Sequence, residues 1–168
     1  MTGTTERWRE LAAQSSGVTT DELDRLWADL AVVRAEDILG EWKGAAFRTG
    51  HPLCRALDKS GWYGKTFHST MDAEPLICRA EDGTLFSDVE SGGGKATLWN
   101  IEFRGEVTAT MVYDGRAVFD HFKRLDEVSR RRESHPPPLS EPCVTVSRHT
   151  APTVEPLGNA PCFQWANM

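Results

Sequence analysis

Two short glycine-bracketed aromatic motifs constrain the fold of this chain more than any other feature. The first is Gly40-Glu41-Trp42-Lys43-Gly44, and the second is Gly61-Trp62-Tyr63-Gly64-Lys65. Each motif places large flat rings beside residues that have no Cβ, so ring and backbone can approach each other closely. This arrangement suits the first strands of a small closed β-barrel, with Trp42 filling one end. The motifs therefore predict a barrel able to hold a small ligand.

The length and net charge of the chain indicate how many domains it has and which partners it is expected to lack. The chain has 168 residues and a formal net charge of -6, which predicts one domain and argues against a nucleic-acid partner. No apolar stretch resembles a signal core or a membrane span, so we expect a cytoplasmic protein. The four cysteines lack the spacing of a zinc site, which predicts free thiols and no bound metal.

The hydrophobic pattern divides the chain into three parts. Residues 1–40 have a helical period and are predicted to pack on the barrel. Residues 41–134 have a period of two with many turn signals, which is typical of antiparallel hairpins and forms the barrel core. Residues 135–168 form a proline-rich tail with one strand-like stretch at 143–147, a candidate closing strand. The other predicted strands are 41–48, 62–69, 75–80, 84–87, 96–103, 106–113 and 116–124.

Two hairpins allow an explicit register. If Arg104-Gly105 and Asp114-Gly115 are both two-residue turns, paired residues share a face of the sheet. One face then carries Leu98, Asn100, Val107, Ala109, Met111, Tyr113, Val118 and Asp120, with Asn100, Ala109 and Asp120 in one row and Leu98, Met111 and Val118 in the next. The other face carries Trp99, Ile101, Phe103, Thr108, Thr110, Val112, Phe119 and His121. The first face suits a cavity wall, whereas Trp99, Thr110 and Phe119 of the second are predicted to pack against the N-terminal helices.

The order of the motifs resembles the GXWXG-domain family. Its elements here are Gly40-x-Trp42-x-Gly44, Thr49-Gly50-His51-Pro52, Trp62-Tyr63-Gly64-Lys65-x-Phe67, Met111-Val112-Tyr113-Asp114 and Asp120-His121-Phe122. In that family a GXWXG region is joined to a companion domain of unknown function. The resemblance covers about residues 36–125, and the chain diverges from the family pattern after that point. It implies a single antiparallel, calycin-like β-barrel; lipocalins and nitrobindin-type haem barrels show a looser similarity.

Three polar residues are candidates for catalysis. Lys65 either points outward or points inward to hold an anionic head group, and the family motif implies the inward position. Strict alternation along its strand places Tyr63 on the same face as Lys65, and Trp62 opposite. His51 lies in a predicted loop. Its side chain is predicted to act as a general acid or base, or else to form a hydrogen bond with the backbone of the turn. Asp120 is predicted to pair with Lys65 across the barrel, as a proton-transfer couple or as a structural salt bridge.

Two hypotheses of different class follow. The first is a barrel that binds a hydrophobic small molecule, lipid-like or polyketide- or terpenoid-like, without a cofactor. Its predicted walls are Trp42, Trp62, Tyr63, Leu98, Asn100, Met111, Tyr113 and Val118. The second is a cofactor-free isomerase, cyclase or hydrolase that uses the same cavity for acid–base chemistry. A haem-binding barrel is a third hypothesis, and exposed hairpin edges would favour a homodimer.

Overall fold

The computed structural model describes residues 2–125 together with two further segments, 143–148 and 163–167. Helices are α1 (Thr2–Ala13), α2 (Thr20–Asp29), α3 (Pro52–Ser60) and the single turn α4 (Val89–Gly92), and a 3-10 turn spans Ala35–Asp37. Strands are β1 (Ala31–Val32), β2 (Gly40–Lys43), β3 (Trp62–Ser69), β4 (Asp72–Arg79), β5 (Leu85–Ser87), β6 (Ala96–Phe103), β7 (Glu106–Tyr113), β8 (Phe119–Arg124), β9 (Cys143–Arg148) and β10 (Phe163–Asn167).

All ten strands belong to one antiparallel sheet. Its order is β10-β9-β8-β7-β6-β4-β3-β2, with β1 beside β8 and β5 beside β4. In the described part of the chain, no strand pairing joins β2 to β10, so the path is open. The predicted fold class, mainly β with N-terminal helices and an antiparallel sheet, is confirmed, whereas the predicted closure into a barrel is not found among the described strands.

The sheet is strongly curled. Lys65 of β3 and Asp120 of β8 lie within 2.9 Å, although β4, β6 and β7 separate their strands. In a flat sheet, four strand spacings would hold these residues about 19 Å apart. The rings of Phe67 and Phe122, from the same two strands, also meet, with centroids 5.5 Å apart. This curvature encloses an interior as a barrel does. Helix α3, which follows β2 at one end of the strand order, contacts β10 at the other end.

One predicted hairpin turn is confirmed, and the other is longer than predicted. Phe103 pairs with Glu106, and both Arg104 and Gly105 have positive φ, as a two-residue type I′ turn requires. In the next hairpin Met111 pairs with Asp120, so the loop spans 114–117. The shift is two residues, which preserves the predicted faces but changes the predicted rows: Asp120 lies beside Met111, not beside Ala109.

The N-terminal helices pack against the outer face of the sheet. Thr19 caps α2 through a capping box with Glu22. Trp27 of α2 meets Phe103 edge to face at 5.8 Å. The prediction that Trp99 makes this contact was wrong, since Trp99 is 49% exposed. Phe103 lies four residues farther along β6, about 13 Å away, at the end of the strand that α2 covers.

Several elements were not predicted, namely β1, the 3-10 turn, α3, α4 and β10. Helix α3 replaces the loop expected around His51, and Pro52 is its first residue, a position that proline favours because it needs no hydrogen-bonded N–H. In the tail, β9 contains the predicted strand 143–147, and β10 pairs with it. The remaining tail residues lie outside the described segments. Cys54 and Cys78 are free thiols, as predicted.

Candidate functional site

The two glycine motifs interlock. Strand β2 pairs with β3 so that Trp42 lies opposite Lys65 and Lys43 opposite Gly64. A Cβ at Gly44 would lie 2.3 Å from the Trp62 ring, and a Cβ at Gly64 would lie 1.9 Å from the Trp42 carbonyl oxygen. Both distances are far below van der Waals contact. Each motif therefore supplies a glycine on which the tryptophan residue of the other rests.

Trp42 borders the barrel interior. Its indole N–H donates to the Ile38 carbonyl at 2.7 Å, and its half-buried ring packs against the interior cluster. That cluster consists of Val33, Ala35, Ile38, Phe67, Ala73, Ala96, Leu98, Ala109, Met111, Tyr113 and Phe122. Trp42 thus seals the edge of an apolar core.

A polar centre lies within this apolar interior. The side chains of Lys65 and Asp120 are fully buried, and Lys65 Nζ lies 2.9 Å from Asp120 Oδ2. Lys65 Nζ also donates to the Pro75 carbonyl and to Tyr113 Oη, each at 3.2 Å. The Tyr113 hydroxyl donates in turn to Asp120 Oδ2 at 3.1 Å. The predicted pairing across the barrel is present, while a catalytic role for either residue stays a prediction.

The environment of this centre keeps Tyr113 protonated. Burial, followed by the charge of Asp120 and the hydrogen bond to it, raises the pKa of the Tyr113 phenol well above its usual value. The hydroxyl therefore remains a donor at neutral pH. The centre combines one ammonium and one carboxylate, so it carries no net charge.

Two buried polar atoms beside Lys65 have no hydrogen-bond partner among the described residues. They are Asp120 Oδ1 and Trp62 Nε1. The Trp62 ring centroid lies 5.7 Å from Lys65 Nζ, and Asp120 is the ion-pair partner of the same ammonium. Buried polar groups without partners are rare in native proteins. One unpaired acceptor and one unpaired donor thus flank Lys65.

A half-open cleft of about 430 Å³ adjoins the polar centre. Lys65 belongs to its wall, so cleft and centre share this residue. The lining residues come from β2 to β5 and are Glu41, Trp42, Lys43, Tyr63, Lys65, Thr66, His68, Glu74, Ile77, Leu85, Phe86 and Ser87. Trp42, Tyr63, Ile77, Leu85 and Phe86 supply its aromatic and aliphatic lining, and the other seven side chains are polar or charged.

Two family models match the sequence of this chain. Residues 25–83 match the model described as GXWXG protein, and residues 94–129 match that of a domain of unknown function, DUF4334. The chain belongs to the GXWXG family. The DUF4334 match ends at residue 129, close to the predicted point of divergence. None of the curated proteins matches the sequence.

A solved structure shares the fold of this GXWXG protein. It is the crystal structure of a protein from Thermomonospora curvata, 26% identical, with a TM-score of 0.75. The similarity covers 98% of this chain and 96% of that one. The likeness fits the predicted calycin-like fold.

Several predicted wall residues of the GXWXG protein serve the core instead of the cleft. Leu98 and Met111 are buried in the interior cluster, and Val118 packs against it. The Asn100 amide accepts from the Ala35 N–H at 2.9 Å, which anchors the 3-10 turn. Asn100 was predicted to line the cavity, and its side chain instead stabilises the 3-10 turn.

The bulged course of β3 changes which aromatic side chain reaches Lys65. Register shifts between β3 and β4 interrupt the alternation along the strand. As a result Trp62, predicted to face away, approaches the Lys65 ammonium, while the Tyr63 ring lies 4.6 Å from the Arg79 guanidinium. Tyr63 still contributes to the cleft, together with Trp42 and Lys65.

His51 lies apart from the described cleft wall. It immediately precedes α3, and its backbone N–H donates to Thr49 Oγ1 at 3.3 Å. It is not among the described residues that line the cleft. The structure brings Lys65 and Asp120 together, and a catalytic role for His51 stays a prediction.

Sequence reasoning did not assign Leu85 and Phe86 to the site. Both line the cleft, and each is 47% exposed. The Asp82-Gly83 turn before β5 was an available signal, because a tight turn returns the chain alongside β4.

None of the described helices is long and apolar enough to cross a membrane. Within the described segments, no group of three His, Cys, Asp or Glu side chains could hold a metal ion.

His121 gives the folded protein a specific response to acid. Its ring stacks on Phe103 at 3.9 Å, and Thr110 Oγ1 lies 2.8 Å from its Nδ1. Burial lowers the pKa of His121 from 6.5 to about 4, although the charge of Asp120 opposes the shift. Between these values the unfolded chain takes up a proton that the folded protein does not. The free energy of unfolding should therefore fall as the pH drops from about 6.5 to about 4.

Replacing His121 with glutamine should flatten this part of the stability profile. The variant lacks the group that is protonated only on unfolding, so its free energy of unfolding should change less over the interval. Urea denaturation at several pH values between 4 and 7 measures both slopes. Parallel profiles for the two proteins would show that His121 titrates normally in the folded state.

Proposed function

We propose that this GXWXG protein binds an apolar small molecule in the cleft formed by β2 to β5. The cleft carries the proposal, because its roughly 430 Å³ are of the size that accommodates a small organic ligand. Trp42, Tyr63, Leu85 and Phe86 supply apolar contact area, and Lys65 connects the cleft to the polar centre. Lipid-like and polyketide- or terpenoid-like molecules have the matching chemistry.

The polar centre argues against an anionic ligand. The Lys65 ammonium already has three partners: Asp120 Oδ2, the Pro75 carbonyl and the Tyr113 hydroxyl. Its charge is balanced by Asp120, whose carboxylate would repel a second anion brought beside it. We therefore revise the sequence-based expectation of a bound anionic head group and propose a neutral ligand.

Acid–base catalysis is the second candidate function. The observation that favours it is the unpartnered Oδ1 of Asp120 in an apolar interior, since a carboxylate with a free lone pair can accept a proton from a bound substrate. A cofactor-free isomerase or cyclase would use that step. Binding precedes catalysis in either case, so the cleft is tested first.

Replacing Phe86 with serine should weaken apolar binding about tenfold. Phe86 is half exposed on the cleft wall, and losing an aromatic contact of this kind removes roughly 1–2 kcal/mol of apolar burial from the complex. Titration with the neutral fluorescent probe N-phenyl-1-naphthylamine gives the dissociation constants. Native mass spectrometry of the purified protein would identify any ligand that it retains.

Trp99→Ser is the matched control for Phe86→Ser. Trp99 is similarly exposed, at 49%, but lies on β6 outside the cleft lining. The probe should bind this variant as tightly as it binds the unmodified protein. Equal losses in the two variants would mean that the probe adheres to exposed aromatic surface, and the cleft proposal would then fail.

A further inference from the structure

We propose that the ligand is a neutral apolar molecule bearing a hydroxyl group, which bonds to Asp120 Oδ1 and Trp62 Nε1 beside Lys65. The inference rests on the proposed binding function and specifies its chemical class. It starts from the two buried polar atoms that lack partners. One is an acceptor and the other a donor, and both belong to residues that approach the same ammonium.

The groups surrounding Asp120 Oδ1 cannot supply its missing donor. The three N–H bonds of Lys65 point to Asp120 Oδ2, the Pro75 carbonyl and Tyr113 Oη. The single hydroxyl proton of Tyr113 is directed to Oδ2 as well. A buried carboxylate oxygen left without a donor is costly. The missing donor must therefore come from a molecule that enters the site.

Trp62 adds the complementary requirement. Its indole Nε1 can only donate, it is buried, and no described residue accepts its hydrogen bond. The Trp62 ring is held in place against Gly44, where a Cβ would overlap it. The orientation of the indole is therefore set by packing, and its N–H remains directed at a position without an acceptor.

A hydroxyl group satisfies both atoms at once, because it donates one hydrogen bond and accepts others. A carboxylate could accept from Trp62 but would face the Asp120 carboxylate, and an ammonium could donate to Asp120 but would face both Lys65 and the indole N–H. Neither Asp120 nor Trp62 lines the cleft, but Lys65 both belongs to its wall and pairs with Asp120. The apolar remainder of the ligand would then lie along Trp42 and Phe86.

Three probes of one shape test the inference: naphthalene, 2-naphthol and 2-naphthoate. Equilibrium dialysis against the full-length protein should give 2-naphthol a dissociation constant about tenfold or more below that of naphthalene, the effect of a hydrogen bond to a charged group. 2-Naphthoate should bind more weakly than naphthalene. Equal affinities for naphthalene and 2-naphthol would overturn the hydroxyl assignment while leaving apolar binding intact.

Two variants locate the contact. Asp120→Asn keeps an oxygen for Lys65 and replaces Oδ1 with an amide donor, while Trp62→Phe removes the indole N–H and keeps an aromatic ring. Both should lose most of the preference for 2-naphthol over naphthalene, and each variant's own naphthalene affinity reports whether its cleft is intact. If Asp120→Asn does not fold, Trp62→Phe alone decides the question.

The outcomes separate the two proposals. An unchanged 2-naphthol preference in Trp62→Phe and in folded Asp120→Asn would mean that the hydroxyl binds elsewhere and that an internal water fills the gap at Oδ1. That result would overturn the inference and leave the cleft proposal standing. Failure of the unmodified protein to bind any of the three probes would overturn both.

Discussion

Replacing Lys65 with methionine is expected to lower the free energy of unfolding by about 3–5 kcal/mol. The variant would leave the Asp120 carboxylate fully buried without its counter-charge. It would also remove a donor from the Pro75 carbonyl and from Tyr113 Oη. Urea denaturation of the variant and of the unmodified protein measures the difference.

The exposed pair of Lys95 and Asp72 provides the control. Its N–O distance is 2.8 Å, nearly equal to that of the buried pair, but its side chains are 47% and 43% exposed. Lys95→Met should therefore cost less than about 1 kcal/mol. If Lys65→Met costs no more than Lys95→Met, the Lys65 ammonium is solvated and the buried centre does not exist.

A double variant distinguishes an unpaired charge from simple loss of packing. Lys65→Met combined with Asp120→Leu removes both charges, so it should recover most of the stability that Lys65→Met loses. Incomplete recovery is expected, because Tyr113 Oη and the Pro75 carbonyl still lack their partner. A double variant as unstable as the sum of its single variants would contradict the ion-pair explanation.

The pairing of Lys65 with Asp120 could be predicted from the sequence because it depends on which face each residue occupies and on the curvature of the sheet. The hairpin register placed Asp120 on the inner face, the family resemblance implied the inward position of Lys65, and a strongly curled sheet brings opposite walls together. The second hairpin turn was less predictable, since Asp114-Gly115 begins a loop of four residues in place of a two-residue turn. Its error of two residues preserved the face of Asp120 and changed only its neighbours.

The surroundings of Lys65 could not be predicted, because they depend on irregular backbone. Bulges are not encoded by the period of the hydrophobic pattern, yet those in β3 bring Trp62 to the ammonium and turn Tyr63 toward Arg79. The unpartnered state of Asp120 Oδ1 is likewise a matter of distances between side chains. The ion pair between Lys65 and Asp120 was therefore predictable from the sequence. The two buried atoms without partners, on which the proposal of a hydroxylated ligand rests, were visible only in the structure.

Replacing Gly64 with alanine is expected to destabilise the protein by about 3 kcal/mol, and replacing Gly44 with alanine by roughly 1–3 kcal/mol. The added Cβ at Gly64 would overlap the Trp42 carbonyl oxygen, at 1.9 Å, so β2 and β3 would have to separate. At Gly44 the overlap is with the Trp62 ring, at 2.3 Å. Urea denaturation gives both values, and Gly3→Ala is the control, since nothing lies within 4 Å of its added Cβ.

The nature of the obstacle decides whether a second substitution can relieve it. Trp62→Leu removes the ring that meets Gly44, so the double variant Gly44→Ala and Trp62→Leu should be less destabilised than the sum of its two single variants. No side-chain substitution at Trp42 moves its carbonyl oxygen, so Gly64→Ala should remain additive with Trp42→Phe. Additivity in both pairs would mean that the two motifs do not contact each other as described. Rescue at Gly44 alone would show that Gly44 makes room for the Trp62 side chain, whereas Gly64 makes room for the backbone of Trp42. The close approach at Gly64 would then be what sets the β2–β3 register and places Trp42 opposite Lys65.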